Sequence, residues 1–327
     1  MIKIIFHFSI RIYSNGKKKA YVGTPRVASP VLLKTLIERT LHQFETSRGR
    51  STNDNYRTAV RSFMAYAGQK LFIADVTPQL MEGWQQWLRS HNVSPNTVSC
   101  YMRSLRSVLR HAGLSDVDSL FKGVFTGVAR TVKRAISVDD INRLQNLVLT
   151  NKPALQLSRD IFLFSVYALG MPLVDVAFLR KQQFCDGYIN YQRRKNGQSI
   201  RICIEPVMLQ IINRYATSAS SSPYLFPILK RGTMEEYHAF RSKYNRHLGQ
   251  LAVLAQIEHC LTSYVARHSW ASLAYHANVG LPVISKALGH TSSQTTQVYI
   301  KEIDDRRVDV ANHAVIMQLL NHPVNKT

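Results

Sequence analysis

The 327-residue sequence predicts a mainly α-helical protein, in which an N-terminal helical domain precedes a second, mostly helical domain with a small β-hairpin or sheet. Three observations predict this class. Apolar residues recur at helical spacing from about residue 30 onward, and the length suits about two domains of ordinary size. Asn196-Gly197, a strong hairpin-turn signal, interrupts the helical pattern between two strand-like stretches.

The N-terminal region divides into a short extension and a helical domain. Residues 1–28 alternate like strands around the turn signal Asn15-Gly16, and residues 30–115 form the predicted helical domain. Its best-marked helix begins with Ser94 as N-cap. Apolar residues at four-three-four-three spacing predict the buried face of that helix, namely Val98, Met102, Leu105, Leu109 and Ala112.

A second domain follows a predicted linker. Periodicity weakens over residues 116–136, which we interpret as the linker, and returns over residues 137–312. Ser137 with Asp140 three residues later is typical of the capping box that starts a helix. The last residues, 313–327, are predicted to form a C-terminal tail.

The chain is strongly basic in both halves. Its net charge is +22, and residues 1–115 carry 17 Lys and Arg against 5 Asp and Glu, whereas the remainder carries 25 against 15. A polyanion contacted by both domains explains this spread, and nucleic acid is the commonest such partner; solubility alone is the alternative. The predicted DNA contacts are Arg57, Arg61, Arg103, Arg106, Arg110, Lys133 and Arg134.

Cysteine usage and hydropathy indicate the compartment. The four cysteines form no C-x-x-C pair, so neither a zinc site nor a disulfide framework is predicted, and no metal or other cofactor is expected. His7 and Arg11 interrupt the apolar opening run, and no segment reaches the ~18 uncharged apolar residues of a membrane span. We expect a soluble, cytoplasmic protein without a membrane partner.

The run "SYVARHSWASLAYHANVGLPVISKALGHTSSQTTQVYI" carries the functional pattern. It contains Arg267, then Gly289-His290, then Tyr299 nine residues after the histidine, and Lys195 lies at the turn of the preceding hairpin. A lone tyrosine on an apolar helix face is usually a core residue, but the ordered set is uncommon. Over residues 30–312 the chain resembles the tyrosine recombinases, the phage integrase family, including its SAM-like core-binding domain.

The resemblance implies a role for each motif residue. Tyr299 would attack a DNA phosphodiester to give a 3′-phosphotyrosyl link and a free 5′-hydroxyl. Arg267 and His290 would bind the phosphate, and Lys195 would protonate the leaving 5′-oxygen. His268 would support the site from behind Arg267. Because the covalent link conserves the phosphoester bond, the reaction needs neither ATP nor a divalent ion.

The sequence departs from the family pattern at two positions. Tyr264 stands where the family usually has histidine or lysine, and its hydroxyl can still donate a hydrogen bond. Pro172 stands where the family has its first catalytic arginine, and proline has no group that binds phosphate. Arg159 and Arg180 are the nearest substitutes in sequence, and Arg159 is the favoured one.

By this resemblance the protein is a site-specific DNA recombinase that acts on double-stranded DNA and closes around it as a clamp. It would assemble as a tetramer on two sites through a C-terminal helix that passes to the next protomer. An invertase or simple mobile-element recombinase is favoured over an integrase that needs host DNA-bending proteins, whose participation stays open. Two alternatives are a type IB topoisomerase-like nicking-closing enzyme and a DNA-binding regulator whose catalysis is impaired by Pro172.

Overall fold

The computed structural model describes residues 31–47, 49–129 and 134–290, together with residues 312, 313, 316 and 317. The chain divides into two compact units, residues 1–131 and 132–327. The predicted N-terminal strands, Lys133, Tyr299 and most of the C-terminal tail lie outside the described residues. The predictions made for them are therefore not tested by the fold.

The first unit is a helical bundle around a single core. Its helices are α1 (Leu33–Ser47), α2 (Arg50–Ala67), α3 (Pro78–Ser90), α4 (Pro95–His111) and α5 (Val117–Leu120). Phe63 of α2 and Trp84 of α3 are completely buried, and their ring centroids lie 5.2 Å apart in an edge-on arrangement. Such aromatic pairs stabilise a core beyond the area that they bury.

Helix α4 forms where its capping and apolar signals predict it. The Ser94 hydroxyl accepts a hydrogen bond from the Thr97 amide at 3.4 Å, and Pro95 occupies the first turn. Four residues of the predicted stripe, Val98, Met102, Leu105 and Leu109, have no exposed surface. Removing these side chains from water is the main force that holds the helix against α2.

The prediction that residues 116–136 are a linker is wrong for their first part. Val117, Phe121 and Val124 are buried in the core of the first unit, because their helical spacing continues the apolar face through α5. The Gln85 side chain accepts a 2.6 Å hydrogen bond from the Phe125 amide and fixes the following turn. The core of the first unit therefore extends to at least residue 124.

The second unit surrounds one buried helix. Its helices are α6 (Val138–Gln145), α7 (Pro153–Tyr167), α8 (Leu173–Ala177), α9 (Pro206–Tyr215), α10 (Met234–Leu254), α11 (Val265–His276) and α12 (Leu281–Ala287). Every residue of α7 from 158 to 166 is buried, which is typical of a helix enclosed on all sides. Ser137 caps α6 through the predicted capping box with Asp140.

A three-stranded antiparallel sheet lies between α8 and α9 in the chain. Its strands are β1 (Phe184–Cys185), β2 (Tyr188–Gln192) and β3 (Ser199–Cys203), in the order β1-β2-β3. Strands β2 and β3 pair around Asn196-Gly197, which confirms the predicted hairpin. Alternate residues, Ile189 and Tyr191 on β2 and their neighbours Ile202 and Ile200 on β3, face the core.

In the described part of the chain, no helix is both long and apolar enough to cross a membrane.

Candidate catalytic site

The turn between α7 and α8 supplies the backbone that contacts Arg267 in the candidate site. The Met171 amide donates a hydrogen bond to the Ser165 carbonyl, and the Ser165 hydroxyl donates to the Met171 carbonyl at 2.6 Å. Gly170 has a φ of +65°. A Cβ at Gly170 would lie 2.8 Å from the Arg267 Cα, so only glycine allows this close approach. The turn thereby directs the Gly170 carbonyl at Arg267.

Arg267, on the first turn of α11, is 3% exposed and is held by three acceptors. One terminal nitrogen donates to the Gly170 carbonyl at 3.1 Å. The other donates to the Leu288 carbonyl and lies 3.0 Å from His290 Nε2. The structure thus brings together two residues of the predicted site that are 23 positions apart in sequence.

The glycine–histidine step ends α12 in a Schellman motif. Gly289 adopts a φ of +61°, its amide donates to the Lys286 carbonyl, and the His290 amide donates to the Ser285 carbonyl at 3.0 Å. This pattern requires a left-handed residue after the helix, a position where glycine carries no Cβ penalty. It turns His290 back toward Arg267, which explains why the histidine directly follows a glycine.

His290 is neutral in this environment. Partial burial, and then the nearby charges of Arg267, Arg193 and Lys195, lower its pKa to about 4. Because Arg267 donates to Nε2, that nitrogen accepts a hydrogen bond and the ring carries its proton on Nδ1. His290 can therefore donate a hydrogen bond from Nδ1 without carrying a charge.

A second buried arginine, which the sequence prediction missed, lies beside the same helix end. Arg193 is 7% exposed, and one terminal nitrogen donates to the carbonyls of Leu288 at 2.8 Å and Gly289 at 2.5 Å. Its Nε lies 3.9 Å from the buried Asp175 carboxylate. Strand periodicity is the signal that points to it, because Arg193 continues the inward series of alternate residues along β2.

Asp175 anchors the hairpin from α8. Its carboxylate accepts a 3.0 Å hydrogen bond from the Arg194 amide and is 3% exposed. Burial raises the pKa of this carboxyl, while the Arg194 amide and the charges of Arg193 and Arg267 act in the opposite direction. The Asn196 side chain also donates to the Gly289 carbonyl at 3.2 Å. The hairpin turn is thus fixed to both α8 and the end of α12.

Of the remaining predicted site residues, Lys195 is near enough for its charge to act on His290. Lys195 is exposed on the hairpin turn, and its charge contributes to the lowered pKa of His290. Tyr264 is 47% exposed at the start of α11, and its ring packs edge-on against His268 at 5.3 Å. Within the described residues, no three His, Cys, Asp or Glu side chains are grouped so that they could hold a metal ion.

The structure places both predicted substitutes for the first arginine outside this centre. Arg159 is buried on α7, where it donates to the Leu147 carbonyl at 2.7 Å and to Asp160 at 2.9 Å. These contacts join α7 to the loop after α6 and use the Nε and one terminal nitrogen of Arg159. Arg180 is exposed and lies over the ring of Tyr224 at 6.0 Å. Two of the three Arg159 nitrogens thus support the fold, and its role as the substitute for the first arginine stays a prediction.

The arginines predicted to contact DNA in the first unit differ in their surroundings. Arg57 forms an ion pair with Glu45, and Arg110 forms one with Asp118 at 2.5 Å. Arg103 donates to the Ser99 carbonyl at 3.3 Å. By contrast, the side chains of two others form no hydrogen bond or ion pair with any residue that the structure describes, namely Arg61 and Arg106. In the second unit, Arg134 is exposed.

The mainly helical fold, the contact between Arg267 and His290 and the relationship to curated tyrosine recombinases together define the chain as an enzyme of the tyrosine recombinase class. The chain belongs to the phage integrase family, whose model matches residues 134–306, just over half of the sequence. The model of the phage integrase SAM-like domain matches residues 32–117.

Curated relatives match the chain over most of its length. It is 24% identical over 298 residues to the tyrosine recombinase XerD of Listeria monocytogenes serovar 1/2a, covering 85% of this chain and 97% of the relative. It is 22% identical over 218 residues to the tyrosine recombinase XerA of Pyrococcus furiosus, covering 65% of this chain and 72% of the relative. Site-specific DNA recombination is thus the function that the family relationship supports.

Solved structures confirm the fold class. A lambda integrase dimer bound to a COC′ core site matches with a TM-score of 0.64 at 13% identity, over 85% of this chain and 78% of that one. The Tn1549 transposon integrase in complex with transposon right end DNA matches with a TM-score of 0.62 at 12% identity, over 88% of this chain and the whole of that one. Both share the mainly helical architecture.

Proposed function

We propose that this chain cleaves and rejoins DNA at specific sites through a 3′-phosphotyrosyl intermediate on Tyr299. The observation that carries the proposal is the contact between the buried Arg267 and the partly buried His290, which forms a cationic site. A phosphodiester transition state gathers negative charge on its non-bridging oxygens, and fixed donors in a water-poor site stabilise that charge most strongly. Arg267 and His290 are the donors that the proposal assigns to this charge.

The surroundings support a division of labour among the site residues. Arg267 supplies a planar fork for the phosphate oxygens, and His290 supplies a neutral donor at Nδ1. In the proposed step, the Tyr299 oxygen gives its proton to water and forms a bond to phosphorus while the bond to the 5′-oxygen breaks. Lys195, on the exposed turn, gives a proton to that leaving oxygen. Tyr264 donates a further hydrogen bond at the edge of the site.

Trapping of the covalent intermediate tests this proposal. Nicked duplexes tiled across the DNA on both sides of the gene should yield a protein–DNA adduct with the wild type, because the cleaved fragment diffuses away and blocks rejoining. We expect no adduct from Tyr299→Phe. Tyr188→Phe, a change on β2, is the matched control and should form the adduct normally. Equal trapping by Tyr299→Phe and the wild type would contradict the assignment, and a regulator without catalysis would give no adduct at all.

We also propose that the active assembly is a tetramer on two DNA sites, in which the C-terminal tail binds a neighbouring protomer. One solved relative in fold is a lambda integrase tetramer bound to a Holliday junction, with a TM-score of 0.64. The apolar spacing in "VDVANHAVIMQLL" is that of an amphipathic helix. Host DNA-bending proteins are a further possible component of this assembly. Comparing recombination by the purified protein with and without host extract tests whether they are needed.

Deleting residues 306–327 separates cleavage from assembly. If the tail joins protomers, the shortened chain should still form part of its Tyr299 adduct but should not hold two DNA sites together. The measurement is the yield of paired-site complexes on a native gel, with the adduct yield of the same sample as the internal control. Recombination at the normal rate by the shortened chain would show that the tail only packs locally.

A further inference from the structure

We propose that Arg193 takes the place of the missing first arginine and binds the scissile phosphate beside Arg267. This inference rests on the proposed DNA cleavage, and it assigns to that reaction a residue outside the sequence pattern. The position that the family pattern gives to an arginine is occupied by Pro172, at the N-terminus of α8. Arg193 reaches the same centre from the hairpin side.

The two guanidinium groups share one acceptor. Arg193 and Arg267 each donate a hydrogen bond to the Leu288 carbonyl. Two nitrogens bonded to one oxygen lie at most roughly 6 Å apart, a separation at which both can contact the oxygens of a single phosphate. The charges of both arginines also act on His290, the third group of the site.

Arg193 has donor capacity left for a ligand. One of its terminal nitrogens is used on Leu288 and Gly289, while its Nε faces Asp175 at 3.9 Å. The Nε is the buried nitrogen that forms no hydrogen bond with the described residues, and the other terminal nitrogen donates to none of them either. An almost completely buried guanidinium with an unused donor is costly unless a ligand or water supplies the acceptor. A phosphate oxygen meets that requirement.

The surrounding chain holds Arg193 in one orientation. A Cβ at Gly289 would lie 2.6 Å from the Arg193 Cδ, so the glycine that turns His290 into the site also makes room for this side chain. The buried carboxylate of Asp175, three residues after Pro172, lies 3.9 Å from the Arg193 Nε and attracts its charge. These contacts preorganise the group, which is the condition for strong electrostatic stabilisation of a transition state.

The competing explanation is that Arg193 only ties the hairpin to the end of α12. The neighbouring arginine provides the matched control, because the Arg194 guanidinium lies 3.9 Å over the ring of Phe178 and forms no hydrogen bond with the described residues. Both arginines extend from the same turn, so a general effect of a lost charge on DNA binding would appear in both variants.

The test is single-turnover cleavage of the nicked duplex that yields the wild-type adduct, at saturating DNA. We expect Arg193→Ala to cleave 10²-fold more slowly or worse, Arg193→Lys to be intermediate because it keeps charge without the fork, and Arg194→Ala to cleave within a few-fold of the wild type. The decisive arm replaces the scissile phosphate with a methylphosphonate, which has one charge fewer. On that substrate the defect of Arg193→Ala should shrink to less than 10-fold.

The outcomes distinguish the two proposals. A wild type that forms no adduct would remove the proposed function and this inference together. A wild type that forms the adduct, with Arg193→Ala cleaving equally fast, would remove only the role of Arg193. A defect of equal size on both substrates, with lowered thermal stability of the variant, would assign Arg193 to packing and would also overturn the inference.

Discussion

His290 owes its neutral form to where the Schellman motif places it. An imidazole in an unfolded chain has a pKa near 6.5, whereas here partial burial and three neighbouring cations lower the pKa to about 4. Protonating it would bring a fourth positive charge into the cluster. Between these two pH values the unfolded chain binds a proton at this residue and the folded chain does not, so acid favours unfolding.

The free energy of unfolding should therefore decrease as the pH falls from about 6.5 to about 4, with the full contribution of His290 present above pH 6.5. The measurement is urea unfolding at several pH values, for the wild type and for His290→Gln. The variant, which lacks this titration, should show a smaller decrease over the same interval. Parallel curves for the two proteins would mean that His290 has an ordinary pKa in the folded chain.

At the residue scale the sequence predicts part of the site. The order of Arg267, His290 and Lys195 is a linear pattern, and the structure brings the first two into contact. The linear pattern does not identify Arg193, because its partners are distant in the chain. They are Asp175 and the carbonyls at the end of α12. Every residue has a backbone carbonyl, so the sequence does not show which carbonyls accept hydrogen bonds from a given arginine.

At the element scale, local signals predict best. The cap at Ser94, the capping box at Ser137 and the turn at Asn196-Gly197 each act within a few residues, and each element forms at the predicted place. The linker prediction fails over α5 because a four-residue helix has no stability of its own. Only burial of side chains such as Phe121 in the core of the first unit stabilises it.

The start of α6 allows a matched test of capping. The Ser137 hydroxyl accepts from the Asp140 amide at 3.1 Å and donates to the Asp140 carboxylate at 2.8 Å. At the start of α4, the corresponding bond from Thr97 to Ser94 is 3.4 Å long. At both helix starts the serine hydroxyl also forms a 2.8 Å hydrogen bond with the side chain three residues later. The cap of α6 differs in its shorter bond to the amide and in the bond that the Ser137 amide donates to the Asp140 carboxylate at 3.0 Å.

Ser137→Ala should lower the protection of the Asp140 amide by about 1 kcal/mol, or roughly fivefold in exchange rate, the usual cost of losing such a cap. Amide hydrogen exchange by NMR measures this directly. In Ser94→Ala, the control, the Thr97 amide should lose less protection, since the bond removed is longer. Equal losses at the two amides would show that the capping box at α6 adds nothing to a single cap.

At the scale of the whole molecule, the +22 charge is spread over both units and is only partly neutralised within the chain. Ion pairs use Arg57 and Arg110 in the first unit. In the second, Arg214 pairs with the buried Asp160. A DNA-bound protein that neutralises phosphates releases counterions, and the salt dependence of its affinity counts the phosphates contacted. Arginines that form ion pairs within the chain should therefore contribute less to the salt dependence than arginines that form none with the described residues.

If the protein contacts six or more phosphates, its affinity for DNA should fall by about three decades or more between 50 and 200 mM salt. Arg61→Ala and Arg106→Ala should each lower the slope of log affinity against log salt by about one, because these side chains form no ion pair with the described residues and are available to phosphate. Arg57→Ala and Arg110→Ala should change the slope less, since these arginines must leave Glu45 and Asp118 before they can bind DNA.

Fluorescence anisotropy of a labelled duplex measures the affinity of the wild type and the four variants under the same conditions. A shallow slope in the wild type, or equal slope changes in the paired and unpaired variants, would contradict a phosphate contact by the unpaired arginines of the first unit.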